Sequence, residues 1–423
     1  MGNPENSWLL EGDLLESGGV TRERLLICCE TGTILERGDL SGDPHVVWPD
    51  GVFVCPGFID IHVHCRDDPG GSQRYKEDYL SSSQAAIHGG VVLLGDMPNN
   101  PDPPSNLESY QRKKKLADQV SLVDVVLYGL LTKGGDCFSS NIPWKCYFGP
   151  SVGEIDSWGD NSVTSVLENY RGNRVMFHAE DPRILEESKG ADTHEMRRPP
   201  EAEVVAIDTI LNVCRELNIT AHIAHLSTGE GLRRIEQARS EGQTVTTEVT
   251  PHHLAFDIEN RDQWNCGEWL QMNPPLRTSW DREVLREGLL NGSIDALATD
   301  HAPHSLEENR QGISGVPHLD TFGAYVCQLA AEGFPWETLI ARASTRPAEL
   351  FSPFIEDDFG HLTPGAIASL TVVDPRQQWT LERSAVRSRA GWSPFEGHPF
   401  PGKIVETVVR GERFTPASAA KLP

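Results

Sequence analysis

The middle of the chain alternates short apolar runs with longer stretches whose apolar residues recur every three or four positions. Eight of the runs read as strands, ending near His64, Asn99, Thr132, Phe148, His178, His225, Thr250 and Asp300. Between them the spacing is helical. In residues 201–218 it is carried by Ala202, Val205, Ile207, Ile210, Leu211 and Cys214, and residues 229–241 also have helix character. Eight β–α repeats predict an α/β fold, a (β/α)8 TIM barrel over residues 56–359. A doubly wound open sheet is the competitor. It keeps the first and last strands apart, whereas closure joins them. The flanks differ: short alternating strands with Gly and Pro turns stand at residues 25–28, 46–48, 369–374 and 405–411. They predict a small β-sandwich built from both ends of the chain, residues 1–55 and 360–423.

Polar residues interrupt this pattern at particular places. His62, His64, Asn99, Lys145, His178, His225 and Asp300 all fall at or near the C-terminal ends of predicted strands. In a barrel those ends converge on the face that carries the active site. Strand alternation puts His62 and His64 on one side, close enough to share a metal ion. Arg66 continues the alternation and sets a cation for an anionic substrate group beside them. His222 and His225 are three apart and face opposite ways. His225, nearer the strand end, is the metal candidate, and His222 is a packed or outer histidine.

Asp300 ends an apolar strand, which is costly unless the carboxylate is paired or coordinates a metal. There it can take a proton from bound water and hand it to a leaving nitrogen. Lys145 would be repelled by metal cations, so the site favours its neutral amine. A neutral amine can add carbon dioxide to form a carbamate, whose two oxygens could bridge two metals. The bland alternatives are a hydrogen-bonded histidine pair at the barrel mouth, an Asp capping a turn, and Arg66 paired with Asp67, Asp68 or Glu77. Segments 101–104 and 309–318 read as active-site loops.

Composition narrows the partners. Across 423 residues, 62 Asp and Glu oppose 37 Lys and Arg, a net charge of −25. That argues against nucleic acid or an anionic membrane as partner. The basic run at residues 112–115 reads as a solvated helix face. Nine Cys show neither metal-finger spacing nor a disulfide framework, which fits a reducing cytoplasm. The first seven residues lack the basic and apolar regions of a secretory signal, and no apolar stretch is long enough to span a bilayer.

Taken together, these segments resemble the dihydroorotases of the amidohydrolase superfamily, from about residue 56 to 347 with 392–397 adding to the likeness. The motifs carrying it are Pro56-Gly57-Phe58-Ile59-Asp60-Ile61-His62-Val63-His64-Cys65-Arg66, Asp96-Met97-Pro98-Asn99, His178-Ala179-Glu180, His222-Ile223-Ala224-His225-Leu226-Ser227, Asn273-Pro274-Pro275-Leu276-Arg277 and Thr299-Asp300-His301-Ala302-Pro303-His304. The resemblance implies a two-zinc site. His62, His64 and Asp300 would hold the more buried ion and His178 and His225 the more exposed one, with a carboxylated Lys145 and a hydroxide as bridges. It also implies that Arg66, Asn99 and His304 bind the substrate carboxylate, and that Asn273 with nearby backbone contacts the pyrimidine ring.

The implied reaction is reversible cyclisation of N-carbamoyl-L-aspartate to L-dihydroorotate in pyrimidine synthesis. The implied assembly is a homodimer, able to associate with an aspartate transcarbamoylase. Hydantoinases, dihydropyrimidinases and allantoinases share the ligands, but Arg66 favours dihydroorotase. An inactive scaffold homologue would have lost ligands, and all six positions are filled here. Two departures bear on the pocket. The segment 66–78 is stretched relative to the family pattern, and His318 stands where Gly is common.

Overall fold

Ten-residue alternation at the N-terminus produces the hairpin of β1 (Ser7–Glu16) and β2 (Gly19–Cys28), followed by β3 (Thr33–Gly38), β4 (Val46–Val47) and β5 (Phe53–Pro56). The computed structural model describes residues 6–150 and 160–415. The apolar runs of the middle become β6 (Phe58–Val63), β7 (Val91–Asp96), β8 (Asp124–Leu127), β9 (Gly129–Leu130), β10 (Trp144–Tyr147), β11 (Arg174–His178), β12 (Thr220–Ile223), β13 (Val245–Val249) and β14 (Ala296–Leu297). The C-terminal part adds β15 (Leu370–Asp374), β16 (Trp379–Thr380), β17 (Pro399–Phe400), β18 (Lys403–Val409) and β19 (Glu412–Phe414). Every residue of β6, β7 and β10 is buried, as expected of parallel strands covered on both faces.

The middle strands pair in parallel in two sheets, β6-β7-β8 and β9-β10-β11-β12-β13-β14. Only Tyr128 separates β8 from β9, so one sheet runs into the other along the chain. On the far side the end of β6 meets the segment just past β14. Val63 forms a parallel bridge to His301, His64 N donates to His301 O at 2.9 Å, and Thr299 N donates to Asp60 Oδ1 at 3.0 Å. The helices expected at 201–218 and 229–241 span Pro200–Leu217 and Gly229–Ser240.

Eight of the flanking strands form one mixed sheet in the order β19-β18-β15-β5-β1-β2-β3, with β4 on β1, and β16 and β17 pair separately. The expected β-sandwich is therefore, in its hydrogen bonding, one main sheet that joins both chain ends. The reason is β5, which pairs in parallel with β1 and antiparallel with β15 and so stitches both chain ends together. Trp8, Leu14, Ile27, Val54, Leu370 and Val408 form a core of their own on it. Residues 1–5 and 416–423 of the expected flanking unit lie outside the described residues. Gly57 joins this sheet to β6, where a Cβ would lie 2.4 Å from Val92 Cγ2 and 2.9 Å from Ser369 O. Only glycine allows that approach.

One expectation is corrected. The basic run is not wholly a solvated face. Ser109, Lys113 and Ala117 are the buried residues of the helix Leu107–Val120, spaced four apart on one side. Lys113 there pairs with the buried Asp96 at 2.8 Å. All nine cysteines are free thiols, and no helix of the described residues is long and apolar enough to cross a membrane.

Candidate active site

The strand ends gather the sequence-predicted side chains. His62 is the next-to-last residue of β6, its ring 5.6 Å from that of His64, both on the side facing Asp300. Asp300 Oδ1 lies 3.3 Å from His62 Nε2 and 3.0 Å from His64 Nε2. The opposite nitrogens are already engaged: His62 Nδ1 on Glu248, and His64 Nδ1 on Asn99 Oδ1 at 2.6 Å. This network assigns the N–H to Nδ1 in both rings and leaves lone pairs on Nε2. Burial holds both imidazoles below their ordinary pKa, so they are neutral. Two imidazole lone pairs and a carboxylate oxygen pointing at one place need a cation between them. The donor set is that of a metal site with oriented histidines.

A second pair stands beside it. His178 Nδ1 and His225 Nε2 face each other at 2.9 Å, and the His225 ring is 5.3 Å from that of His62. His178 Nε2 donates to Glu180 at 2.8 Å, and Arg198 Nε donates to Glu180 at 3.1 Å. Burial pushes the Glu180 carboxyl up, but Arg198 and His178 outweigh it and leave it below the usual range. His222 turns away, to Thr246 Oγ1 at 2.8 Å and Glu248 at 3.1 Å.

Lys145 is fully buried, and among the described residues its Nζ has no hydrogen-bond partner. Burial lowers its pKa to about 8, with Glu248 and Asp300 opposing. Lowering the pKa this far raises the share of free amine far above that of an exposed lysine, and the free amine is the species that carbon dioxide would modify. Burial also pushes the Asp300 carboxyl up, with His62 and Lys145 pulling it back.

Arg66, Asn99 and Asn273 line the same small cavity as His62, His64, His178, His225 and Asp300, together with Tyr147, Ala302, Ser314 and Gly315. Loop 309–318 thus contributes to the lining, while residues 101–104 do not. Strand alternation does not carry Arg66 there. The strand stops at Val63, and the chain turns through a left-handed φ of 55° at Arg66. His225 (36°) and Asp300 (47°) share this uncommon conformation, so three site residues store backbone strain of the kind found at functional sites.

Arg66 Nη2 donates to His304 Nε2 at 3.1 Å, and its Nε is buried without a partner among the described residues. Neither Asp67, Asp68 nor Glu77 pairs with it: Asp67 takes Arg74 at 2.6 Å, and Glu77 accepts from His301 at 3.2 Å. His304 and Lys145 stand behind the lining, His304 against Arg66 and Lys145 5.3 Å from the Tyr147 ring centre. Burial, with Arg66 and Lys76, drops His304 to about 2, so it is neutral. The stretched segment 66–78 is tied down: Tyr75 Oη donates to Glu308 at 2.7 Å and Lys76 pairs with Glu308 at 2.8 Å. His318 is buried and bonded to His252 at 3.0 Å.

Sequence reasoning missed Glu248, Glu180, Asp60 and Tyr147. A lone carboxylate inside the β-branched run 245–249 is a signal close to the one that singled out Asp300, and it would have found Glu248.

The amidohydrolase family model matches residues 53–414. The chain is 33% identical over 378 residues to a dihydroorotase of Pyrococcus horikoshii, covering 88% of this chain and 84% of that protein. With a dihydroorotase of Staphylococcus aureus it shares 30% identity, covering 96% of both. Among solved structures, an L-hydantoinase (dihydropyrimidinase) from Arthrobacter aurescens is similar with a TM-score of 0.88 at 27% identity, covering 96% of this chain and 95% of that one.

Proposed function

The chain belongs to the amidohydrolase family and is a hydrolase of cyclic amides; from that premise we propose that it interconverts N-carbamoyl-L-aspartate and L-dihydroorotate, the ring-closing step of pyrimidine synthesis. Arg66 carries this reading. It is buried beside the His62–His64–Asp300 cluster, and among the described residues no carboxylate lies within ion-pairing distance of it. An unpaired buried cation is costly. A substrate carboxylate removes that cost and suits the guanidinium fork. The likeness to the Arthrobacter aurescens L-hydantoinase favours a hydantoinase reading, but that reading leaves Arg66 without its anion.

In this reading the parallel strands form a (β/α)8 barrel over residues 56–359, with β8 and β9 as one strand and the Val63–His301 bridge as its seam. Residues 1–55 and 360–423 form the flanking unit. His62, His64 and Asp300 would hold one zinc ion and His178 and His225 a second. Lys145, after its amine bonds to carbon dioxide and releases one proton, would bridge them. When bound, the ions supply Lewis acidity and acidify water. Asp300 takes the proton of the attacking water and delivers it to the departing ring nitrogen. In the biosynthetic direction it takes a proton from the ureido nitrogen instead. Arg66 and Asn99 hold the carboxylate, with His304 behind Arg66, and Asn273, whose Oδ1 lacks a partner among the described residues, accepts from the ring. Fixing the substrate this way makes the encounter an oriented one.

The test is kcat/KM on L-dihydroorotate, hydantoin, dihydrouracil and allantoin side by side. Dihydroorotate should be the best substrate. Arg66→Ala should lower its kcat/KM about 10- to 100-fold, the worth of one or two hydrogen bonds to a charged group. Unchanged efficiency of Arg66→Ala on dihydroorotate would remove the carboxylate assignment.

A further inference from the structure

Tyr147 ends β10, two residues beyond Lys145, so alternation turns both to the same face. Its ring lies 6.2 Å from the ring of His178 and walls the cavity shared by Arg66, Asn99, Asn273 and Asp300. The side chain is buried, with 2% of its surface exposed, yet among the described residues its hydroxyl has no hydrogen-bond partner. Buried hydroxyls are nearly always paired, and leaving one unpaired costs stability. Phenylalanine would fill the same wall without that cost. The hydroxyl therefore makes sense only with a partner that arrives in the cavity.

The surroundings indicate which kind. A phenol is a neutral donor at pH 7, and Tyr147 shares the cavity with the Arg66 guanidinium. Arg66 Nε is itself a buried donor without an acceptor. Two unsatisfied donors at one cavity complement a group that only accepts. A carboxylate has about four lone-pair sites, more than one guanidinium edge fills.

We propose that Tyr147 donates its hydroxyl to the substrate carboxylate alongside Arg66, and so helps set the preference for acidic cyclic amides. This rests on the dihydroorotate reading above. Tyr147 then separates substrates by their carboxylate rather than by their ring.

The variant Tyr147→Phe keeps the ring and removes only the donor. Its kcat/KM on L-dihydroorotate should fall about tenfold, mainly through KM. On dihydrouracil, the same ring without the carboxylate, it should stay within about twofold of wild type, and thermal unfolding of the ligand-free variant should come no earlier than in wild type. Inhibition by orotate compared with uracil gives the same contrast where dihydrouracil turnover is too slow to read. Equal losses on both rings, or no loss on dihydroorotate, would overturn the assignment while wild-type turnover of dihydroorotate left the proposed function standing. A wild-type enzyme that opens dihydrouracil but not dihydroorotate would overturn both.

Discussion

Asp300→Asn is expected to give a folded, metal-binding protein whose kcat falls by about 10²–10⁴ in both directions, the range that general acid–base catalysis supplies. The shape of the residue is nearly kept. Asp300 has a φ of 47°, a conformation that Asn tolerates as well as Asp, so the turn after β14 survives. Thr299, one residue earlier, stays anchored by Asp60 through its backbone N–H at 3.0 Å. His62 and His64 keep their Nε2 lone pairs, because Glu248 and Asn99 still hold the other nitrogens. What disappears is a group that can accept and return a proton beside the attacking water. Steady-state rates in both directions, circular dichroism and metal content of the purified variant check this. Wild-type turnover in a folded, metal-loaded Asp300→Asn enzyme would transfer the proton-handling role to another residue.

The parts that could be read from sequence are those with a local signature. Strand and helix periods differ over a few residues, so the strands near His64, Phe148 and His178 and the helix Pro200–Leu217 stand almost where the pattern puts them. A polar side chain ending an apolar run is likewise visible locally, which is why six ligand candidates could be named. Arg66 was reached by a wrong route. Alternation predicted its direction, but a left-handed turn delivers it, and nothing in Cys65-Arg66-Asp67 announces such a turn. Lys113 looked like its basic neighbours because its counter-charge, Asp96, lies on another element. The main sheet of the flanks depends on β5 (Phe53–Pro56) pairing with β15 (Leu370–Asp374), far along the chain, as well as with β1. Pairing at that range leaves no local trace.

Glu248→Ala should have the broadest effect of any single change near the site, on stability as well as metal retention. Glu248 is fully buried and accepts from His62 Nδ1, from His222 Nε2 at 3.1 Å and from the His225 backbone N–H at 3.2 Å. Burial alone would push its carboxyl up, yet His62 and His222 outweigh burial and keep it ionised. Removing it strands three donors in a dry interior. Deleting one member of such a buried network costs about 3–5 kcal/mol. It also frees the tautomer and the rotation of His62. Loss of a carboxylate behind a ligating histidine lowers metal affinity about 10- to 100-fold. Glu248→Gln separates the two effects. It keeps the volume and one acceptor oxygen, so much of the stability should return, while its amide cannot accept from both histidines and metal retention should stay impaired. Unfolding by denaturant and metal content after dialysis against a chelator measure the two quantities independently. If Glu248→Ala matched wild type in both, the orientation of His62 would have to be set by the β6 backbone and Asp300 alone.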